Sequence, residues 1–79
     1  MIKNKLEMTT IEIGDIIHII KVEKNREIII CGKVLHIGTD DNSEAMVRYV
    51  VENCSDPSLI KIGSKHKSYL RQCRPGCPI

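Results

Sequence analysis

The chain has 79 residues and a formal charge of +2; 42% of it is hydrophobic, with no Phe or Trp and only two tyrosines. A chain of this size buries only about 60% of its unfolded surface, which limits it to one domain with a modest, aliphatic core. No run reaches the roughly 18 apolar residues of a membrane span, and the opening residues lack an apolar stretch of signal-peptide length, so a soluble, cytoplasmic protein without a membrane partner is expected.

Residues 1–10 are polar, show no apolar face recurring turn by turn, and are expected to form a flexible N-terminal arm. Three runs follow, residues 11–22, 27–37 and 44–51, each dense in isoleucine and valine. They are short, β-branched and separated by polar turn chemistry at Glu23-Lys24-Asn25-Arg26 and Thr39-Asp40-Asp41-Asn42-Ser43, which predicts three consecutive β-strands. In the first run Ile11, Ile13, Ile17 and Ile19 share one face, and Glu12, Ile16, His18 and Ile20 the other. Both faces of residues 16–20 are thus apolar, the pattern of a strand covered twice, in a closed barrel or at a subunit contact. Gly14-Asp15 marks a bend or bulge in it.

The second run places Ile28, Ile30, Val34 and His36 against Ile29, Cys31, Lys33, Leu35 and Ile37. Gly32 sits at its middle, where a strand bends sharply from one part of a barrel to another. In the third run Ala45, Val47, Tyr49 and Val51 alternate with Glu44, Met46, Arg48, Val50 and Glu52, so one side is expected to be wet. After the loop at 53–58, a short fourth strand is expected over 59–62 and a turn at Gly63-Ser64. Ser68-Tyr69-Leu70-Arg71 reads as a 3₁₀ turn or a last strand, and residues 72–79, with Arg74-Pro75-Gly76, as an unpaired C-terminal tail. Fourteen isoleucines beside many Lys and Asn fit an AT-rich genome, bacterial or phage.

Ile13-Gly14-Asp15-Ile16-Ile17 is similar to the hydrophobic-Gly-Asp entry of the first strand of SH3-like small barrels. Gly32-Lys33-Val34 resembles the Gly-x-Val of the next strand, and Val47-Arg48-Tyr49-Val50-Val51 the Tyr-x-Val stretch after it. Over residues 11–71 the chain therefore resembles this superfold, shared by KOW and Tudor modules. The resemblance implies an all-β, single-domain, five-stranded barrel. The aromatic side chains that line proline-peptide grooves and methyl-lysine cages are missing, so neither ligand is expected. An OB-fold, the main rival, carries a helix between its third and fourth strands, and no segment reads as one.

The charge is uneven. Residues 1–52 hold seven Lys or Arg against nine Asp or Glu, giving −2; residues 53–79 hold five against Asp56 alone, giving +4; the sum is the stated +2. No acid lies between Lys61 and Arg74. This stretch is read as a nucleic-acid backbone site made of Lys61, Lys65, His66, Lys67, Tyr69, Arg71 and Arg74, the cations neutralising phosphates of RNA or DNA and Tyr69 stacking on a base. A solvated, solubilising surface is the plainer reading of the same residues. The rival function is a protein-interaction module or small, phage-encoded inhibitor that docks on a partner protein through a sheet edge or the two-faced isoleucine strands.

Cys31 falls in an apolar strand and reads as a buried core residue. Cys73 and Cys77 flank the turn Arg74-Pro75-Gly76 and, with Cys54 and His66, would make a tetrahedral zinc set; a Cys73–Cys77 disulfide is the other option. The preferred reading is neither: reduced thiols, no metal and no cofactor. His18 and His36 lie in apolar strands and read as structural, Asp40 and Asp41 suit turn bonding, and no phosphate-cradling glycine loop is present. A non-catalytic domain is expected.

Overall fold

The computed structural model describes residues 11–79, so the arm expected over residues 1–10 lies outside the described residues. Five strands form one antiparallel sheet: β1 (Ile16–Glu23), β2 (Arg26–Thr39), β3 (Ala45–Cys54), β4 (Lys65–Tyr69) and β5 (Arg74–Pro75), with a 3₁₀ turn at Leu70–Gln72 between the last two. The order across the sheet is β4-β3-β2-β1-β5. It is a four-strand meander whose final strand returns to the open side of the first. The sheet does not close, because no ladder joins β4 to β1 or β5 among the described residues. No helix among these residues is long and apolar enough to cross a membrane.

The connections follow from local chemistry. Lys24 and Asn25 both take positive φ, 49° and 64°, the two-residue geometry whose twist matches a right-handed β-hairpin. At the β2–β3 turn the Asp40 carboxylate accepts the N–H groups of Asn42 and Glu44, each at 2.9 Å, the turn bonding expected of this residue. Before β1, Gly14 at φ +96° turns the chain; its N–H donates to the Val34 carbonyl and Val34 N–H to the Asp15 carbonyl, tying this bend to β2.

Ile17 and Ile19 of β1, Ile28, Ile30 and Val34 of β2, and Val47, Tyr49 and Val51 of β3 form the core, with Cys54, Ile60 and Cys73. Those of β1, β2 and β3 are alternate, inward positions of the three runs, but Ile13, expected on the same face as Ile17, precedes β1 in the bend at Gly14 and is exposed. The opposite face of β1 is not covered as its two-faced pattern predicts: Ile16, Ile20 and Val22 are exposed.

Strict alternation also fails in β2, which has two register shifts against β3. Between Cys31 and Gly32 the partner jumps from Asn53 to Val51, leaving Glu52 as an extra residue of β3; between Val34 and His36 it moves only from Tyr49 to Arg48, leaving Leu35 extra. Such a bulge reverses the faces beyond it. His36 therefore lies opposite Arg48 on the outer side, and Ile37 turns inward opposite Val47. β2 runs through Gly32 for fourteen residues, with one of the register shifts beside it. The Tyr49 ring fills the place where a side chain would stand: a Cβ at Gly32 would lie 3.0 Å from Tyr49 Cγ and 3.1 Å from the Val50 carbonyl oxygen.

Residues 59–62 form a turn rather than the expected fourth strand. Asp56 organises it, its carbonyl accepting from the N–H groups of Leu59 and Ile60, and Ile60 is buried as a plug beneath the sheet. The fourth strand instead follows at β4, whose sequence Lys-His-Lys-Ser-Tyr has no apolar alternation to betray it.

The C-terminal residues are not an unpaired tail. Pro75 pairs with Ile17 and Arg74 with His18, and the Gly76 N–H donates to the Ile16 carbonyl at 2.8 Å. His18 Nδ1–H donates to the Gly76 carbonyl at 2.9 Å. Cys77 then forms a disulfide with Cys31, a pairing across 46 residues in place of the Cys73–Cys77 option and of reduced thiols throughout. Cys31 is buried as expected, but outside the core cluster: it lies opposite His18 on the outer side of the β1–β2 ladder, under the C-terminal segment.

Candidate functional site

In an antiparallel ladder, directly opposed residues share a face and stand about 4.5–5.5 Å apart. Val47 pairs with Ser68 and Tyr49 with His66, which fixes these positions as inward, since Val47 and Tyr49 belong to the core. Arg48 pairs with Lys67 and Val50 with Lys65, which are therefore outward. On its other side Arg48 faces His36, and Val50 faces Lys33. The outer face thus carries two cross-strand rows, His36–Arg48–Lys67 and Lys33–Val50–Lys65, spanning β2, β3 and β4. Lys33, Arg48, Lys65 and Lys67 are all exposed, and none has an ion-pair partner among the described residues.

Two shallow depressions border these rows. One is lined by Arg48, Lys65, His66 and Lys67; the other runs from Lys67 and Arg48 to His36, Thr39 and Asp40. Asp40 lines the end of the second as an anion held by the two turn N–H groups. The rest of the surface is cationic and without a deep cavity, suited to an extended polyanion rather than a small buried ligand.

The residues singled out from the sequence separate into three places. Lys65 and Lys67 join the outer face. His66 points inward, its Nε2 at 2.9 Å from Ser64 Oγ and its ring 6.1 Å from that of Tyr49. Lys61 sits in the 59–64 turn, where its carbonyl accepts from Ser64.

Arg71 and Arg74 lie beyond β4. Arg71 is ion-paired and hydrogen-bonded to Glu44, which holds its guanidinium above its ordinary pKa, and it stacks over the Tyr69 ring at 4.3 Å. That contact occupies one face of the Tyr69 ring. Arg74 donates to the carbonyls of Arg71 and Cys73. These two arginines, with Ile20 and Gln72, border a separate depression by the 3₁₀ turn.

Lys33, His36 and Arg48 complete the outer face and were not among the residues picked by charge along the chain. The wet side of the third run already contained Arg48; only strand pairing shows that it stands beside Lys67. The zinc set is not assembled: Cys77 is bonded to Cys31, Cys54 and Cys73 are buried thiols, and His66 is turned to Ser64. Among the described residues no three His, Cys, Asp or Glu side chains are grouped to hold a metal ion.

Comparison of the chain with protein-family models, with curated proteins and with solved structures gives no match.

Proposed function

We propose that this domain is a non-catalytic module of SH3-like small-barrel architecture that binds the backbone of RNA or DNA through the outer face of β2, β3 and β4. What supports the architecture is the order of the strands, with a meander of four, a 3₁₀ turn after the fourth and a fifth strand paired to the first. The observation that carries the functional reading is the gathering of Lys33, Arg48, Lys65 and Lys67, unpaired among the described residues, on one exposed surface. Along β4, Lys65 and Lys67 lie two positions apart with His66 between them, about 6.8 Å along an antiparallel strand. Each cation contacts a phosphate and releases its condensed counterion, so binding is driven by salt-sensitive electrostatics and carries little sequence preference. Tyr69, with Arg71 over one face of its ring, is the single aromatic available for a stacking contact.

The cytoplasmic setting expected from the sequence fits a nucleic-acid partner. The Cys31–Cys77 bond weighs against that setting and points to an oxidising compartment, because disulfides persist there and are reduced in the cytosol.

Fluorescence anisotropy with a nonspecific oligonucleotide tests the reading. Affinity falls with salt, each neutralised phosphate adding roughly 0.7–0.9 to the slope of log K against log salt. Arg48→Ala, Lys65→Ala and Lys67→Ala together reduce that slope by about two to three units, whereas Arg71→Ala with Arg74→Ala leaves it nearly unchanged. No binding to RNA or DNA at low salt, or an unaltered slope in the triple variant, rejects the site.

A further inference from the structure

A second surface stands apart from the basic face. β5 covers the edge of β1 only at Ile17 and His18, so residues 19–23 have no strand on that side among the described residues. The Ile16 carbonyl accepts from Gly76 across this edge, and backbone groups alternate along a strand, so the N–H and C=O groups of Ile20 and Val22 point to the open side. The side chains of the same two residues stand on the outer face, 58% and 67% exposed, next to the half-buried Ile29. On the opposite face of the strand Lys21 and Glu23 flank Val22, their charged groups 3.9 Å apart. An edge with free backbone groups and exposed aliphatic side chains is a template for strand addition.

We propose that this edge is completed by a second copy of the chain, β1 pairing antiparallel with β1 about a two-fold axis at Val22. The charges select both the occupant and the register. Centred on Val22, the pairing sets Lys21 opposite the partner's Glu23 and Glu23 opposite the partner's Lys21, with Val22 against its own copy. Centred one residue earlier it would set lysine against lysine, a destabilising pair of like charges. The pairing joins two β1–β2 hairpins into one four-stranded sheet and brings together the aliphatic side chains of Ile20 and Val22 from both copies. The contact is short, so association is weak and concentration-dependent. It is independent of the nucleic-acid reading.

Charge reversal distinguishes this pairing from any other contact. In sedimentation velocity over a concentration series up to about 1 mM, the wild type shifts from monomer to dimer. Lys21→Glu and Glu23→Lys each set like charges against one another twice per dimer, and each associates roughly tenfold more weakly. An equimolar mixture of the two single variants restores association, because each opposes the other's charges, and the double swap K21E/E23K associates like the wild type. Val22→Pro removes an outward N–H without touching the β1–β2 ladder, and it abolishes dimerisation while the circular dichroism spectrum is retained. A wild type that stays monomeric throughout, single variants that associate undiminished, or a mixture that fails to recover overturns the proposal.

Discussion

Cys77→Ala removes the link between Cys31 and Cys77 without hollowing the interior, because Cys77 is exposed whereas Cys31 is buried. The bond closes a loop across 46 residues. In the chain-entropy account, opening a loop of that length gives the unfolded chain about 4 kcal/mol of freedom, and natural cross-links in small domains contribute roughly 2–5 kcal/mol. For a domain of this size each kcal/mol moves the melting midpoint by roughly 4–8 °C, so the variant should melt some 10–30 °C below the wild type. Protein purified without reductant and melted with and without a phosphine reductant should show the same fall, and Cys77→Ala should no longer respond to the reductant. Alkylation under denaturing, non-reducing conditions counts the thiols independently: the wild type should take up two labels, on Cys54 and Cys73. Uptake on all four cysteines, or a variant that melts with the wild type, would refute the pairing and the anchoring of the C-terminal segment to β2.

Gly32→Ala should cost about 1–3 kcal/mol in urea unfolding, because its Cβ meets the buried Tyr49 ring and a backbone carbonyl. Gly38→Ala, whose Cβ meets only the movable His36 side chain, should be nearly neutral; equal effects of the two would dismiss the steric account. At the β1–β2 turn, Lys24→Asn with Asn25→Gly should stabilise by about 1 kcal/mol, since both positions hold positive φ; a lower midpoint would show that another turn geometry is used. Burial raises the Tyr49 phenol above its ordinary 10.0, with the Cys73 thiol adding to it, and burial raises Cys73 above 9.0 against the opposing pull of Arg74. Both groups hold their protons to higher pH when folded. Their contribution is complete below about pH 9 and is lost as pH rises through the folded values, so melting midpoints should fall on the alkaline side. Tyr49→Phe should lessen that fall above pH 10, and an identical pH profile in the variant would contradict it.

Ile and Val at alternate positions were enough to place β2, β3 and the later part of the first run, because each buries one face on a shared core; residues 11–15 bend ahead of β1 instead. β4 escaped the same reasoning. Its inward residues are His66 and Ser68, both only half-buried, so its position comes from pairing with β3 rather than from hydrophobicity. Leu59 and Ile60, by contrast, supply apolar residues without a strand, since a turn ordered by Asp56 can bury them equally well. The bulge at Leu35 defeated the face assignment of His36, as the pattern counts residues and cannot see one left out of register. The candidate site was half visible for a related reason. Charge summed along the chain finds Lys65 and Lys67, but Lys33 and Arg48 become their neighbours only across hydrogen-bonded strands. The Cys31–Cys77 bond depends likewise on a return of the chain to β1 that no local signal announces.

The strand contributing two of the proposed phosphate contacts is also an edge strand with little apolar grip on the interior. Its amides should be among the first in the sheet to exchange with deuterium, well ahead of those in the middle of β2, which is paired on both sides. An oligonucleotide laid across Arg48, Lys65 and Lys67 would clasp this margin to β3 from outside, slowing exchange in β4 while scarcely altering the centre. Occupancy and local order would then rise together, and the looseness of one border strand becomes a means by which the domain registers its ligand.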